Sequence, residues 1–302
     1  MRVISLGSGS SGNALLVQSG ETTVLVDAGF QARLLTGRLR SAGIAPASLS
    51  AILLTHEHGD HACGALSLAC QYGIPILSDP HTIDALMKQS SRETRPTGWT
   101  PERVELPRGR SARLGSLEIR SFAISHDAVA PCGFTLATSA WRVGVMTDTG
   151  MVGPQAIEAL RGAHLLVIEA NHDKARLLDG PYPWYLKQRI LGPTGHLSNE
   201  QTGDALTQML DDGPCWLWLA HLSRTNNTPD LARAQVSEML RSRGLKHIKP
   251  APLPREIGPI WDTASLWGAA SPSPADAREG AHTAEDAAKV DAFASSDVSS
   301  AM

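Results

Sequence analysis

No two cysteines in this chain are spaced to share a metal ion: Cys63, Cys70, Cys132 and Cys215 are scattered, without a CxxC pair. Such scatter excludes a disulfide scaffold and suits a reducing compartment. Net charge is scarce too, with 27 Lys and Arg against 30 Asp and Glu, a formal −3. Residues 270–302 hold six acids against Arg278 and Lys289, so that segment is −4 and the remaining body +1. A near-neutral body excludes a protein that coats nucleic acid by bulk positive charge, while permitting local basic patches. No apolar run reaches membrane-spanning length, and "MRVISLGSGSSGN" lacks the charged and apolar regions of an export signal. No repeat at a solenoid period is visible. The expectation is a soluble, cytoplasmic protein, held by no membrane.

What the chain does have is a series of short β-branched runs: "RVISL", "TTVLVDAG", "AILLTH", "LEIRSFAISH", "WRVGVMTD", "HLLVIEAN" and "CWLWLAH". Each ends in or near a polar or ionisable residue. Helix-like stretches lie between several of them, at about 30–42, 61–73, 82–90, 154–161, 199–211 and 229–243. Ser198 with Gln201 three residues later has the form of a capping box, and Thr228 or Asp230 can cap the last helix. Strands in hairpins, then strands alternating with helices, predict a layered α/β protein. From about residue 265 the composition shifts to Ala, Ser, Pro, Asp and Glu, which cannot bury enough apolar surface to offset chain entropy. The expected division is a catalytic domain over 1–264 and a disordered acidic tail over 265–302.

"ILLTHEHGDHACG", residues 52–64, crowds His56, Glu57, His58, Asp60 and His61 behind an apolar run. His56 and His58 flank one residue at a strand end, so a turn can bring both imidazoles to one point. Asp60 and His61 fall in the following loop and helix start, within reach of a second point. Imidazole nitrogen and carboxylate oxygen are the ligands that zinc and its neighbours take. Other strands end in Asp27, His126, Asp148 and His221. Apolar strands that each end in a His or Asp are what a two-metal site at one sheet edge requires.

The order Asp27, His56-x-His58-x-Asp60-His61, His126, Asp148, His221 resembles the motif set of the metallo-β-lactamase fold, over residues 3 to about 250. That resemblance implies an αββα four-layer architecture with two divalent metal ions, Zn²⁺ or Mn²⁺. It assigns His56, His58 and His126 to one metal and Asp60, His61 and His221 to the other, with Asp148 between them. Asp27 would orient the HxHxDH loop by hydrogen bonds. Asp148 stands where some lactamases carry Cys, which argues against antibiotic hydrolysis.

Two cations sharing a carboxylate serve phosphodiesters and thioesters alike. "VIEANHD", "GPTGHLSNEQ" and "LAHLSRTNN" resemble the phosphodiesterase branch, in which tRNA 3′-processing nucleases pair a glutamate with a histidine at the positions of Glu169 and His196. Asn171 and His172 depart from those tRNA enzymes. "GSGSSGN", "SHDA", "EANHD", "GHLSN" and "HLSRTNN" together look like the YycJ/WalJ/VicX-type subfamily, which implies a DNA exonuclease acting from 5′ ends. Only 73 positions separate Asp148 from His221, too few for the extra domain of the β-CASP nucleases. The expected catalytic groups are Asp60, Glu169 and His196, with His196 as general acid. The expected substrate contacts are Ser10, Ser11, Asn13, His172, Ser223, Arg224, Asn226 and Asn227 on the rim, and the partner is nucleic acid, DNA foremost. The rival reading is a small-molecule hydrolase, a cyclic-phosphate phosphodiesterase or a thioesterase. "GSGSSGN" is not a Walker A loop, since no Lys follows and a strand comes next. Arg103, Arg108, Arg110, Arg113 and Arg120 are read as a solvated hairpin face, and Cys63 and Cys70, seven apart, as small core residues on one helical face.

Overall fold

β-Branched and aliphatic residues fit a pleated, half-buried backbone. In the computed structural model, which describes residues 1–89, 100–213 and 215–266, each of the seven expected runs contains a strand. Among the described residues the strands form two seven-stranded sheets. The first contains β1 (Arg2–Gly7), β2 (Ala14–Ser19), β3 (Thr22–Val26), β4 (Ala51–Leu53), β5 (Ile76–Ser78) and β6 (Arg103–Glu105). The second runs in chain order through β7 (Ser111–Leu114), β8 (Leu117–Ala123), β9 (Cys132–Ala137), β10 (Arg142–Met146), β11 (Leu165–Glu169), β12 (Trp216–Ala220) and β13 (Pro250–Pro252). The last strand, β14 (Ile260–Asp262), returns to the first sheet beside β1. Both sheets change from antiparallel to parallel pairing partway across, at β3 in the first and β10 in the second. The parallel strands β3 and β4, and β10 to β12, then deliver their carboxyl ends to a common edge, where α/β sheets commonly bind ligands.

The helices are α1 (Ala32–Ser41), α2 (Gly59–Ala62), α3 (Ala65–Tyr72), α4 (Pro80–Gln89), α5 (Pro154–Leu160), α6 (Lys174–Asp179), α7 (Trp184–Leu191), α8 (Asn199–Met209), α9 (Pro229–Ser242) and α10 (Thr263–Leu266). Strand alternation sorts the core into three apolar layers. Leu25 and Ile52 face α1, α3 and α4 through Leu35, Leu39, Leu68 and Ile83. Leu166, Ile168, Leu217 and Leu219 face α5, α8 and α9 through Leu160, Leu206 and Val236. Residues of the opposite parity, among them Leu15, Val26, Val145 and Val167, line the seam between the sheets. This is the expected αββα layering.

Ser198 and Gln201 form the expected capping box at α8, and Thr228 rather than Asp230 caps α9 by accepting the Leu231 amide. The expectation for Cys63 and Cys70 is corrected. A turn at Cys63 and Gly64 separates α2 from α3, so the two share no helical face; Cys63 is exposed and Cys70 half-buried. The five arginines between 103 and 120 are all exposed. The chain divides into two units, Met1–Thr263 and Ala264–Met302; the first holds both sheets, and the expected disordered tail lies, from residue 267 onward, outside the described residues. No described helix is long and apolar enough to cross a membrane.

Candidate metal centre

His56 follows β4, His58 caps α2, and His126 follows β8. Their rings stand around one point, with centroids 4.7 Å apart for His56–His58 and 5.0 Å for each of the other two pairs. Second partners fix which nitrogen each ring offers. His56 Nδ1 lies 3.0 Å from the Thr55 hydroxyl, so Nε2 is left for the site, buried and without a hydrogen-bond partner. His126 Nδ1 lies 3.2 Å from the Thr194 carbonyl, and its Nε2 is 3.2 Å from His58 Nδ1. A buried imidazole nitrogen with no partner costs free energy unless something binds it. His56 Nε2 is such a nitrogen, and with the facing nitrogens of His58 and His126 at the same point it makes a cation's ligand set.

A second cluster lies beside the first. His61 Nε2 is 2.8 Å from Asp148 Oδ2 and 3.8 Å from Asp60 Oδ2; His221 Nε2 is 3.4 Å from the same Asp60 oxygen. Asp148 presents its other oxygen, Oδ1, to His221 Nδ1 at 3.1 Å. Ligand atoms of Asp60, His61 and His221 converge within 4.8 Å, as do those of His56, His61 and Asp148. Asp148 therefore stands between the two clusters. Asp27 acts through His61: its Oδ2 lies 2.7 Å from His61 Nδ1, while Oδ1 accepts the Thr55 amide at 2.9 Å. A carboxylate so placed fixes the orientation of an imidazole and, where a metal is bound, its free nitrogen.

The electrostatics suit a cation here. Burial opposes ionisation of Asp148, but the charges of His221 and His61 hold its carboxyl well below the ordinary range. Burial likewise disfavours charge on His221, yet Asp148, Asp60 and Glu169 push it up to about 10. His61 is raised well above its usual value against its own desolvation, by Asp148 and Asp27. Carboxylates that favour protons on two fully buried imidazoles favour divalent cations in their place for the same reason. The donor set of nitrogen and carboxylate oxygen fits zinc or manganese.

Among the described non-glycine residues, Asp27, Asp148 and His221 are those with left-handed backbone, at φ 61°, 55° and 55°. Each lies within two residues past a strand end. Backbone zippering holds the loops together: Asn13 N–H donates to Asp60 O at 2.8 Å, Ala28 N–H to His61 O at 2.7 Å, and Gly29 N–H to Asn13 O at 2.9 Å. Gly29 passes so close that a β-carbon on it would lie 1.7 Å from the Asp60 carbonyl oxygen.

Glu169 and His196 meet beside this cluster, with His196 Nδ1 2.8 Å from Glu169 Oε1. The same oxygen lies 2.9 Å from His221 Nδ1, so Glu169 orients both imidazoles. Its Oε2 accepts the amides of Thr149 and Leu197 at 3.0 and 3.2 Å. Burial works against charge on His196, but Glu169 raises its pKa.

The expected substrate contacts divide. Ser10, Ser223 and His196 line a cleft of about 200 Å³ together with Asn171, Tyr182 and Arg189. Ser11 and Arg224 are exposed at the surface. Four others lie inside rather than on the expected rim. Asn13 is 6% exposed; its carboxamide oxygen accepts the Gly9 amide at 2.8 Å and its Nδ2 lies 3.0 Å from His61 Nε2. Asn227 donates to Ala170 O and Asn199 Oδ1 at 2.9 and 2.8 Å. Asn226 and His172 are 1% and 0% exposed. Their loops turn inward because Asp173 N–H donates to Asn226 O at 2.9 Å and His172 bridges to Ser198. The sequence reading also passed over Thr55, Asn171, Tyr182 and Arg189. Asn171 Nδ2 donates to the His221 carbonyl at 2.9 Å.

Known proteins share this architecture. A family model described as a beta-lactamase superfamily domain matches residues 22–213. The chain is 35% identical to the exodeoxyribonuclease YycJ of Bacillus anthracis, over 79% of this chain and 89% of that protein. It is equally similar, at 35%, to the exodeoxyribonuclease WalJ of Streptococcus pneumoniae, over 80% of this chain and 88% of that protein. Among solved structures, the metallo-beta-lactamase fold protein YhfI from Bacillus subtilis superposes with a TM-score of 0.64 at 19% identity, covering 86% of this chain and 99% of that one.

Proposed function

The chain belongs to the metallo-β-lactamase superfamily, in the group of the YycJ and WalJ exodeoxyribonucleases, and from that premise we propose that it removes nucleotides from the 5′ ends of DNA. It is a metal-dependent hydrolase. His56, His58 and His126 would hold one divalent cation, Asp60, His61 and His221 the second, and Asp148 would contact both. Bound there, such cations supply an activated water at neutral pH and neutralise charge on phosphoryl oxygens.

One observation carries the choice of a phosphodiester. His196 lines the open cleft while Glu169 takes its Nδ1–H at 2.8 Å. That leaves Nε2 to give a proton to the cleft. A sugar alkoxide is a poor leaving group and needs that proton, whereas a thiolate leaves without it. Ser10, Ser223 and Arg224 at the rim supply hydroxyl and guanidinium groups suited to phosphate oxygens. Four free cysteines support a reducing, cytoplasmic setting.

The test is one substrate panel for the metal-reconstituted protein: 5′-phosphorylated and 5′-hydroxyl DNA, RNA, cyclic nucleotides and a thioester. Fastest turnover on DNA, with mononucleotides released from the 5′ end, is the expected result. Preference for the cyclic nucleotide or the thioester would replace this reading with a small-molecule hydrolase.

A further inference from the structure

The nuclease reading leaves open how a strand is held, and the inference that follows rests on that reading. Aromatic residues make up only 5% of the chain, 14 in all, yet Tyr182, Trp184 and Tyr185 fall within four positions. Among the other described residues Trp141 and Trp216 each meet Trp261 edge-on, and Trp218 is 5% exposed. By contrast Tyr185 is 73% exposed and Trp184 61%.

These rings stand at the start of α7, whose inner face is part of the cleft. Leu186, Arg189 and Ile190 share that face and line the cleft with Tyr182 and His196. At 100° per residue, Tyr185 lies one turn before Arg189 on the flank of the same face, and Trp184 falls on the far side. The helix is fixed at several points. The Lys187 ammonium donates to the Leu178 carbonyl, and the Ser125 hydroxyl donates to Pro193 O at 2.7 Å. Arg189 Nε donates to Asp127 Oδ2 at 2.6 Å, and His196 N–H donates to Ile190 O at 3.0 Å. Tyr182 lines the cleft with His196, and Tyr185 stands on the flank of the helix that forms its wall.

We propose that Tyr182 and Tyr185 form a stacking track that receives the bases of one unpaired DNA strand as it leaves the cleft, with Arg189 facing its phosphates. An aromatic ring stacks on any base whose face is free, and each such contact is worth about 1–3 kcal/mol. A paired base inside a duplex offers no free face to such a ring. The exposed cations Lys174, Arg176 and Arg189 on α6 and α7 suit a polyanion better than an apolar protein surface. The substrate is therefore a single-stranded end, or a duplex end after fraying.

The experiment compares KM for a 5′-phosphorylated single strand between the metal-loaded wild type and Tyr185→Ala, Tyr185→Phe and Trp184→Ala. Tyr185→Ala should raise KM about tenfold, within the range that one stacked base supplies. Tyr185→Phe should restore wild-type KM, because it keeps the ring, and Trp184→Ala should change KM less than twofold. On a strand made abasic at its second to fourth positions, wild type and Tyr185→Ala should have the same KM. An unchanged KM for Tyr185→Ala on the normal strand overturns the track, and so does an equal rise on the abasic strand. A wild type that cuts no DNA while hydrolysing another substrate of the panel overturns the nuclease reading itself.

Discussion

Asp27, Asp148 and His221 hold a backbone conformation that costs a non-glycine residue of order 1–3 kcal/mol, at φ 61°, 55° and 55°. Packing maintains it because their side chains meet the same two imidazole clusters. His221 also sets a pH dependence for the metal-free protein. His221 is raised from 6.5 to about 10 in the fold. Protonation thus stabilises the folded state fully below pH 6.5, and that stabilisation is lost as pH rises through 10. Melting temperature of chelator-treated protein should fall across that window, whereas metal-loaded protein should change little; coincident curves would contradict the assignment. His196→Ala should lower turnover on DNA by roughly 10²- to 10⁴-fold, the usual worth of a positioned acid. A bis-nitrophenyl phosphate ester, whose leaving group needs no proton, should lose far less. Equal losses on both would make His196 a binding group instead. At this scale the sequence was legible wherever ionisable residues crowd a strand end, as at His56 to His61. Thr55, and the parts that Asn13 and Asn171 play, were not legible, because each acts through a partner distant in sequence or through a neighbour's ring nitrogen.

Elements carry the site through their ends. The capping box of Ser198 and Gln201 starts α8 two residues after His196, so the cap also fixes the loop that presents the imidazole. Ser198→Ala should cost about 1 kcal/mol of stability, read by denaturant unfolding, and an unchanged midpoint would show the cap to be idle. Gly29→Ala is a sharper probe of the loop layer, since its β-carbon would sit 1.7 Å from Asp60 O. It should destabilise by about 1–3 kcal/mol and weaken metal retention, measured by dialysis and elemental analysis. Retained metal and stability would mean that the loops yield freely. The six-residue β9 was passed over, but most of the longer strands, the short β4 and most helices were readable from apolar runs and their spacing. Three-residue strands such as β5, β6 and β13 were not, because so short a run has no period to detect. The pair α6 and α7 also escaped, as six- and eight-residue helices broken by "GPYP". With them went Tyr182 and Arg189.

For the molecule as a whole, composition separates the acidic segment from the body that holds every metal-ligand position. Truncation after residue 266 should leave melting temperature and turnover on a short substrate unchanged. Because residues 270–302 carry −4, the same deletion should tighten binding to long DNA at low salt. A large fall in melting temperature would show instead that the segment packs. The four-layer architecture was legible through the family resemblance that the strand-end ligands carry; the antiparallel hairpins that flank those strands carry no such mark. The claim on which the rest depends is that two cations, bridged through Asp148, make this fold a DNA-cleaving enzyme. The direct measurement is a titration of metal-depleted protein with Mn²⁺ or Zn²⁺, following turnover of end-labelled 5′-phosphorylated DNA and bound metal together. Turnover should be absent without metal and should reach its plateau at two ions per chain. Cleavage that persists in the stripped protein, or a plateau at one ion, would contradict the claim.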